Sequence, residues 1–291
     1  MDGAGRATGT RYITAWVGVT MTPGSSARRP SRRRREIVVR GVARLDHERP
    51  HRIGIPEVIL GEGKTVVHLR TIVDELARRG LGALISRPTP AQVRELETAR
   101  SAGVPLRPVA RGRLYRLEGP LGVAYRRGTV AVLTAGTSDV PLADECSGLL
   151  RELGVEVVES HDVGVAGLHR LLSALRRIER REPELYIVFA GREGALPTVV
   201  AGLVRAPVLG VPTSVGYGRG GRGEAALNAM LQSCAPLAVV NIDAAVPAAL
   251  FAAQRFAVPR TQGGRPATSR SAARTPARRR RGSSPTSSSS S

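Results

Sequence analysis

An open parallel α/β sheet with helices on both faces is the fold this sequence predicts for its C-terminal half. Five short apolar runs, at 130–133, 155–158, 185–189, 208–211 and 237–242, recur along it. Each is rich in valine, isoleucine or leucine and does not alternate with polar residues, as a strand covered on both faces should read. Stretches with helical spacing, 140–153, 165–180, 195–203 and 225–234, separate these runs. Strand–helix alternation of this kind implies right-handed crossovers within one sheet, a flavodoxin-like or Rossmann-like three-layer arrangement.

The remaining segments follow in chain order. Residues 1–36 hold eight arginines against Asp2 and Glu36, a net +6, among glycine, serine and threonine. Such a segment buries too little apolar surface to order, so a disordered basic leader is expected. The ordered body is expected from Ile37. Over 65–79, Val66, Leu69, Ile72, Val73 and Leu76 recur at helical spacing and Gly80 stops the helix. A second helix is predicted over 91–102, with Val93 and Leu96 inward, behind the breaker Pro88-Thr89-Pro90. Tyr115 and Tyr125 flank a Gly-Pro turn. Residues 37–127 therefore read as a small α+β domain and 128–254 as the α/β domain. Residues 255–291 carry nine arginines, no acid and a serine-rich end, and a disordered tail is expected there.

Charge and composition limit the function. The chain carries a formal +20, but the body between the two ends holds only +5 of it. It is not a basic nucleic-acid-binding domain; the tails, including the arginines at 278–281, hold polyanions at most weakly, through contacts that salt screens. No apolar run is long enough to span a bilayer, and no leading apolar segment has a cleavage site, so a cytoplasmic protein without membrane contact is expected. Cys146 and Cys234 make no disulfide framework, and no Cys/His cluster has zinc spacing. Cys146, inside a helical pattern, reads as a small buried apolar group.

In open parallel sheets, ligands bind outside the carboxyl ends of the strands. Gly136-Thr137-Ser138-Asp139 follows a strand and opens a helix. It is either a phosphate-binding turn, with close backbone approach, hydroxyls and free helical N–H groups, or an ordinary N-cap. Gly61-Glu62-Gly63-Lys64-Thr65 lacks the first glycine of a Walker loop and a preceding strand, and is rejected as one. Lys64, the only lysine, stays a candidate phosphate contact. The loop Pro212-Thr213-Ser214-Val215-Gly216-Tyr217-Gly218 either wraps a ligand, with Tyr217 stacking on a base, or is a plain linker. Glu193, in a glycine-flanked turn after an apolar strand, is a candidate general base, because apolar surroundings raise a carboxylate's proton affinity. Cys234 is expected to end a helix, where the dipole disfavours a thiolate; it needs a cation or a strong electrophile beside it to react. His161, Asp162, His169 and Asp243 complete the candidates, and for each alone a structural hydrogen bond is the commoner role.

Taken in order, these segments resemble a known family. Gly41-Val42-Ala43-Arg44-Leu45-Asp46-His47 and Gly54-Ile55-Pro56-Glu57-Val58-Ile59-Leu60-Gly61-Glu62-Gly63-Lys64-Thr65 resemble the N-terminal signature of the LarB proteins of nickel-pincer nucleotide cofactor synthesis. The Gly136–Asp139 turn, Asp162-Val163-Gly164-Val165-Ala166-Gly167-Leu168-His169-Arg170, Glu193-Gly194-Ala195-Leu196-Pro197, the 212–218 loop and Ser233-Cys234-Ala235-Pro236 continue the likeness over about residues 37–250.

The resemblance implies an α/β domain similar to the phosphoribosyl-aminoimidazole carboxylases of purine synthesis. It implies carboxylation of nicotinic acid adenine dinucleotide at C5 with CO2 or bicarbonate. Hydrolysis of the phosphoanhydride would then give pyridinium-3,5-biscarboxylic acid mononucleotide and AMP. Cys234 would be the covalent catalyst and Glu193 the proton-transfer base. Gly136, Thr137, Ser138, Asp139, Asp162, His169, Thr213, Ser214, Gly216, Tyr217 and Gly218 would hold phosphate and nucleotide. Mg2+ or another divalent cation on unidentified ligands, no organic cofactor, and a homo-oligomer are also implied.

The chain departs from the family where Ala244-Ala245-Val246-Pro247 replaces Asn-Gly-Phe-Gly, and where Arg192 and the arginines at 219 and 222 replace smaller or apolar residues. Two rival readings remain. The purine-pathway carboxylase or mutase uses a histidine two residues before the proline, where this chain has Ala195. A non-catalytic nucleotide- or polyanion-binding protein is the other.

Overall fold

The computed structural model describes residues 36–258, apart from Arg40, His47 and Ala124. Nearly all of the expected leader, and the tail beyond 258 with its arginines at 278–281, lie outside the described residues.

The N-terminal part opens with an antiparallel hairpin of β1 (Glu36–Val39) and β2 (Ala43–Asp46). There follow α1 (Arg49–Ile53), β3 (Val58–Leu60), α2 (Val66–Arg78), β4 (Ala83–Ser86), α3 (Pro90–Ser101), β5 (Leu106–Val109) and β6 (Leu114–Leu117). The sheet order is β3-β4-β6-β5; β3 and β4 are parallel and the other pairs antiparallel. Both expected helices form, each capped by the threonine before it. The Thr65 hydroxyl accepts the His68 N–H at 3.1 Å, and Thr89 and Gln92 make a capping box. Leu69, Ile72, Val73 and Leu76 pack into the core as their spacing requires, whereas Val93 is only partly buried. Gln92 is buried beside it and donates to the carbonyls of Gly61 and Lys64. One premise of the Walker-loop rejection fails, because β3 does precede Gly61. The missing first glycine still stands against such a loop, and the Lys64 ammonium caps the Leu60 carbonyl at 2.9 Å.

The second part alternates strictly: β7 (Thr129–Thr134), α4 (Val140–Glu152), β8 (Glu156–Ser160), α5 (Leu168–Ile178), β9 (Leu185–Ala190), α6 (Ala195–Ala201), β10 (Val208–Pro212), α7 (Glu224–Leu231), β11 (Leu237–Val239) and α8 (Ala245–Gln254). All five strands are parallel, in the order β11-β10-β9-β7-β8. This is the flavodoxin-like doubly wound order, whose crossovers place helices on both faces. Alternate residues of one strand feed two cores. Leu185, Ile187 and Phe189 pack with α4 and α8, while Tyr186, Val188 and Ala190 pack with α5, α6 and α7. Double coverage is why these runs read as continuous apolar stretches. No helix of the described residues is long and apolar enough to cross a membrane.

Three expectations change. Helix α7 stops at Leu231, so Cys234 lies in the turn before β11 rather than at a helix end. Helix α8 was not anticipated, because its alanine-rich sequence is apolar on every side and has no helical stripe to detect. The body also runs past 254: Phe256 is fully buried, and its carbonyl accepts the Arg126 N–H at 2.8 Å. A side chain added at Gly128 would meet the Phe256 ring at 2.1 Å, so that glycine is what lets the ring dock.

The two sheets are tied through Glu145 of α4, which is fully buried. Its carboxylate accepts from the Ser86 hydroxyl at the end of β4 and from Arg87 Nε at 3.1 Å, with the Arg113 guanidinium 3.9 Å away. The Arg87 guanidinium also reaches the carbonyl of Asp243, across the carboxyl edge of the large sheet. Removing Glu145 leaves the buried Ser86 hydroxyl without its acceptor and the partly exposed Arg87 without its anion. Glu145→Ala should lower unfolding stability by about 1–3 kcal/mol, read as a lower urea midpoint; a shift smaller than about 0.5 kcal/mol, the level of a surface substitution, would deny Glu145 this role.

Candidate active site

Loops after β7, β8 and β9 enclose a cavity of about 430 Å3 at the carboxyl edge of the large sheet, lined by Gly136, Ser138, Asp139, Gly164, Glu193 and Ala195 among others. Four of the loops at this edge hold a non-glycine residue in the left-handed region: Asp162 (φ 55), Arg192 (φ 46), Arg222 (φ 61) and Asp243 (φ 56). Each such residue costs about 1–3 kcal/mol, and strain of this kind gathers where loops are shaped for function. The β9 loop is pressed against the β10 loop. A side chain at Gly191 would meet the Val215 carbonyl oxygen at 2.2 Å, and Gly194, at φ 63, sits 2.6 Å by the same measure from the carbonyl oxygen of Ala226. Only glycine allows both approaches.

The expected ligand contacts divide into two groups. Asp139 is 4% exposed, and both its oxygens are used inside the protein. One accepts the Gly136 N–H at 2.9 Å and the other the buried Thr213 hydroxyl at 2.6 Å. Burial raises the Asp139 carboxyl above its ordinary value, and nearby Asp243 adds to this; the Thr213 hydroxyl and Gly136 N–H oppose it. Asp139 and Thr213 thus join the β7 turn to the β10 turn and position Gly136, Thr137 and Ser138 for any ligand. Similarly, the Ser214 N–H donates to Asp243 at 2.8 Å. The second group faces solvent. Tyr217 is 75% exposed, with Arg192 stacked 4.7 Å above its ring and donating to its hydroxyl at 2.9 Å. Gly216 and Gly218 flank it, so the loop presents a ring and a guanidinium together. Asp162 pairs with Arg170, and His169 is exposed at the start of α5.

The two reactive candidates are not brought together within one chain. Glu193 lines the cavity but is exposed, so the apolar enclosure expected around it is absent from a single chain. Cys234 is exposed as well, but it lies before β11, whose first residue Leu237 pairs with Val208 at the start of β10. It therefore stands at the amino edge of the sheet, separated from the cavity by at least a strand's length, roughly 15 Å at the usual rise per residue. Cys146 is fully buried, and burial pushes its thiol well above the ordinary range, which leaves Cys234 as the accessible sulfur of the two.

Sequence reasoning missed the arginines of the N-terminal part. Arg87, Arg111 and Arg113 line a neighbouring cavity with Ser138, Ser214 and Asp243. Left-handed backbone at Ala110 and Arg111 turns the chain there, and nothing in the one-dimensional pattern of that turn announced it. Among the described residues, one group of metal-ligating type, Asp144, Glu159 and His161, has donor atoms within 4.8 Å of one another. Arg111 already pairs with Asp144 at 3.4 Å and Arg151 with Glu159 at 2.6 Å, so cations of the protein itself occupy two of its three ligands.

Residues 38–112 match the LarB/PurE-like N-terminal domain and residues 129–266 match AIR carboxylase. An uncharacterized protein of Methanocaldococcus jannaschii is 37% identical over 212 residues, covering 72% of this chain and 82% of that protein. The N5-carboxyaminoimidazole ribonucleotide mutase of the same organism is 30% identical over 135 residues, 44% of this chain and 79% of the mutase. A crystal structure of Treponema denticola PurE aligns over 45% of this chain and 88% of its own, at 25% identity and a TM-score of 0.36.

Asp139→Ala would leave the Gly136 N–H and the buried Thr213 hydroxyl without their acceptor. A loss of about 1–3 kcal/mol is expected for such unsatisfied groups, measured by urea unfolding. Unchanged stability would mean that the two turns are held by something else.

Proposed function

Because this chain belongs to the LarB family, with a LarB/PurE-like N-terminal domain followed by an AIR carboxylase domain, we propose that it carboxylates the pyridinium ring of nicotinic acid adenine dinucleotide at C5. Hydrolysis of the phosphoanhydride then releases pyridinium-3,5-biscarboxylic acid mononucleotide and AMP. A carboxylase-type enzyme is what the family implies; the pyridinium substrate is the finer step. The observation that carries it is the cavity around Glu193, where Ala195 stands two residues before Pro197. No histidine lines that cavity among the described residues, so the proton carrier expected of imidazole-ribonucleotide chemistry is missing, while a carboxylate base is present at the rim.

The chemistry requires a nucleophile. A pyridinium C5 is electron-poor and does not attack CO2. Addition of the Cys234 thiolate at C4 gives a neutral dihydropyridine in which C5 is the carbon end of an enamine. C5 bonds to CO2 and the ring nitrogen becomes an iminium. Glu193 then takes the proton from C5, which restores the enamine, and expulsion of the thiolate from C4 regenerates the aromatic ring. Covalent catalysis replaces one inaccessible step with several accessible ones. The positive ring is the strong electrophile for this thiol.

Cys234 and Glu193 lie at opposite edges of the sheet, so a second copy of the chain supplies the thiol. Leu231, 63% exposed at the same edge as Cys234, and the exposed Leu168, Leu172, Leu203 and Phe251 give the sheet domain apolar surface suited to such an assembly. Closure by a second copy would also supply the enclosure that Glu193 lacks. A divalent cation such as Mg2+ would neutralise charge on the anhydride during hydrolysis; the carboxylates of Glu62 and Asp243, which line one cavity with Ser138, are the oxygen ligands suited to hold it.

Incubation of the protein with nicotinic acid adenine dinucleotide, bicarbonate and Mg2+ should yield AMP and a mononucleotide heavier by one carboxylate, detected by mass spectrometry. Conversion of N5-carboxyaminoimidazole ribonucleotide instead would transfer the protein to the mutase reading. Cys234→Ser and Glu193→Gln should each lose activity alone. Dissociated, mixed and reassembled, the two variants should regain roughly a quarter of wild-type activity, the share of two-chain sites that combine both intact residues. No recovery on mixing would place the two groups on one chain.

A further inference from the structure

A cavity in the N-terminal part takes no share in the chemistry above. It measures about 110 Å3 and lies where β1 and β2 meet α1 and the β3–β4 side of the small sheet. Its walls are largely apolar, with Ile37, Leu45, Ile59, Leu76, Ala83 and Leu121 among them. Sites for drug-sized molecules run to roughly 300–1,000 Å3, whereas an apolar cavity of roughly 150 Å3 takes up a single benzene. This space therefore suits an apolar side chain and is too small for a nucleotide. Left unfilled, it deprives its walls of packing contacts.

The hairpin beside it is also incomplete. Among the described residues β1 and β2 pair only with each other, and a two-stranded ribbon is marginal by itself. Its outer edges offer backbone N–H and C=O groups to a further extended segment.

The chain carries a segment of matching character. Residues 12–21, Tyr-Ile-Thr-Ala-Trp-Val-Gly-Val-Thr-Met, hold no charge, and Ile13, Ala15, Val17, Val19 and Met21 recur at every second position. That is the period of a half-buried strand. Residues 259–291 contain no valine, leucine, isoleucine, methionine or aromatic residue and offer nothing comparable. The chain enters β1 at Glu36, and the next residue, Ile37, already lines the cavity. The intervening residues 22–35 reach at most roughly 50 Å when extended, ample for the segment to fold back. They also carry six arginines, which complement the carboxylates of Asp46 and Glu57 in the cavity lining.

We propose that residues 12–21 dock on this cavity in the same chain, adding an extended segment to the β1–β2 hairpin and filling the space with an apolar side chain.

Trp16 is the only tryptophan, so the full chain reports on its own docking. Its emission should lie to the blue of the urea-unfolded chain and resist quenching by acrylamide. Ala83→Leu fills the cavity from within. It should shift the emission to the red and raise the quenching constant several-fold, with a urea midpoint no lower than wild type. Leu121→Glu, at a half-buried loop position, should release Trp16 in the same way and serves if Ala83→Leu disturbs the fold. Val17→Asp combined with Val19→Asp should release it too, without changing the urea midpoint of the sheet domain. Solvent-like Trp16 emission in the wild type, or emission unchanged in the cavity variants, would overturn the proposal. A blue shift that grows with protein concentration would seat the segment of another copy in the cavity and overturn it as well.

Discussion

One buried carboxylate organises this molecule. Glu145 sits on α4 of the large sheet and is fully enclosed, yet its partners, Ser86, Arg87 and Arg113, all belong to the small one. A charge removed from water must be compensated nearby. The compensation here comes from the other sheet, so the two parts cannot separate without exposing it. The same contact fixes Arg87 in an unfavourable backbone conformation and extends it to the carbonyl of Asp243, at the carboxyl edge of the large sheet. Interdomain geometry and the shape of the site are thereby a single constraint.

The carboxyl edge repeats that economy. Asp139 and Thr213 spend their polar atoms on each other and on Gly136, so two of the residues that look most like ligand contacts act as scaffold. What remains free at this edge is Ser138, which they position, the exposed Glu193, and the Tyr217 ring beneath Arg192. Arg192, standing where the family resemblance led us to expect an apolar residue, places a cation over that ring. At 244–247, alanine and a proline in the first turn suit a helix start, and α8 begins there, packing on α4.

Much of the architecture was legible because period and punctuation are local properties. The valine-rich runs of β7, β9 and β10 have few alternatives to a doubly covered strand, and Thr65 and Thr89 mark their helices by chemistry that any N-cap shares. Helix α8 and the docking of Phe256 were not legible, since an all-round apolar helix carries no stripe and a single aromatic past it looks like the start of a tail. The candidate site was legible only as a set of loops. Glu193, Gly136 and Ser138 were found because a parallel sheet sends its loops to one edge. Arg87, Arg111 and Arg113 were missed because no spacing links them to Ser138, Ser214 and Asp243, distant along the chain, that share their cavity.

The sequence by itself determined the strand–helix alternation, the caps, the small glycines at the loop approaches and the burial of Cys146. Each of these follows from side-chain size, polarity and spacing within a few residues. Tertiary structure decided which groups meet: Asp139 with Thr213, Glu145 with Arg87, Arg111 and Arg113 with Ser138, and Cys234 at the edge away from Glu193. Those meetings depend on crossovers and on packing between sheets, where distance along the chain and distance in space are unrelated.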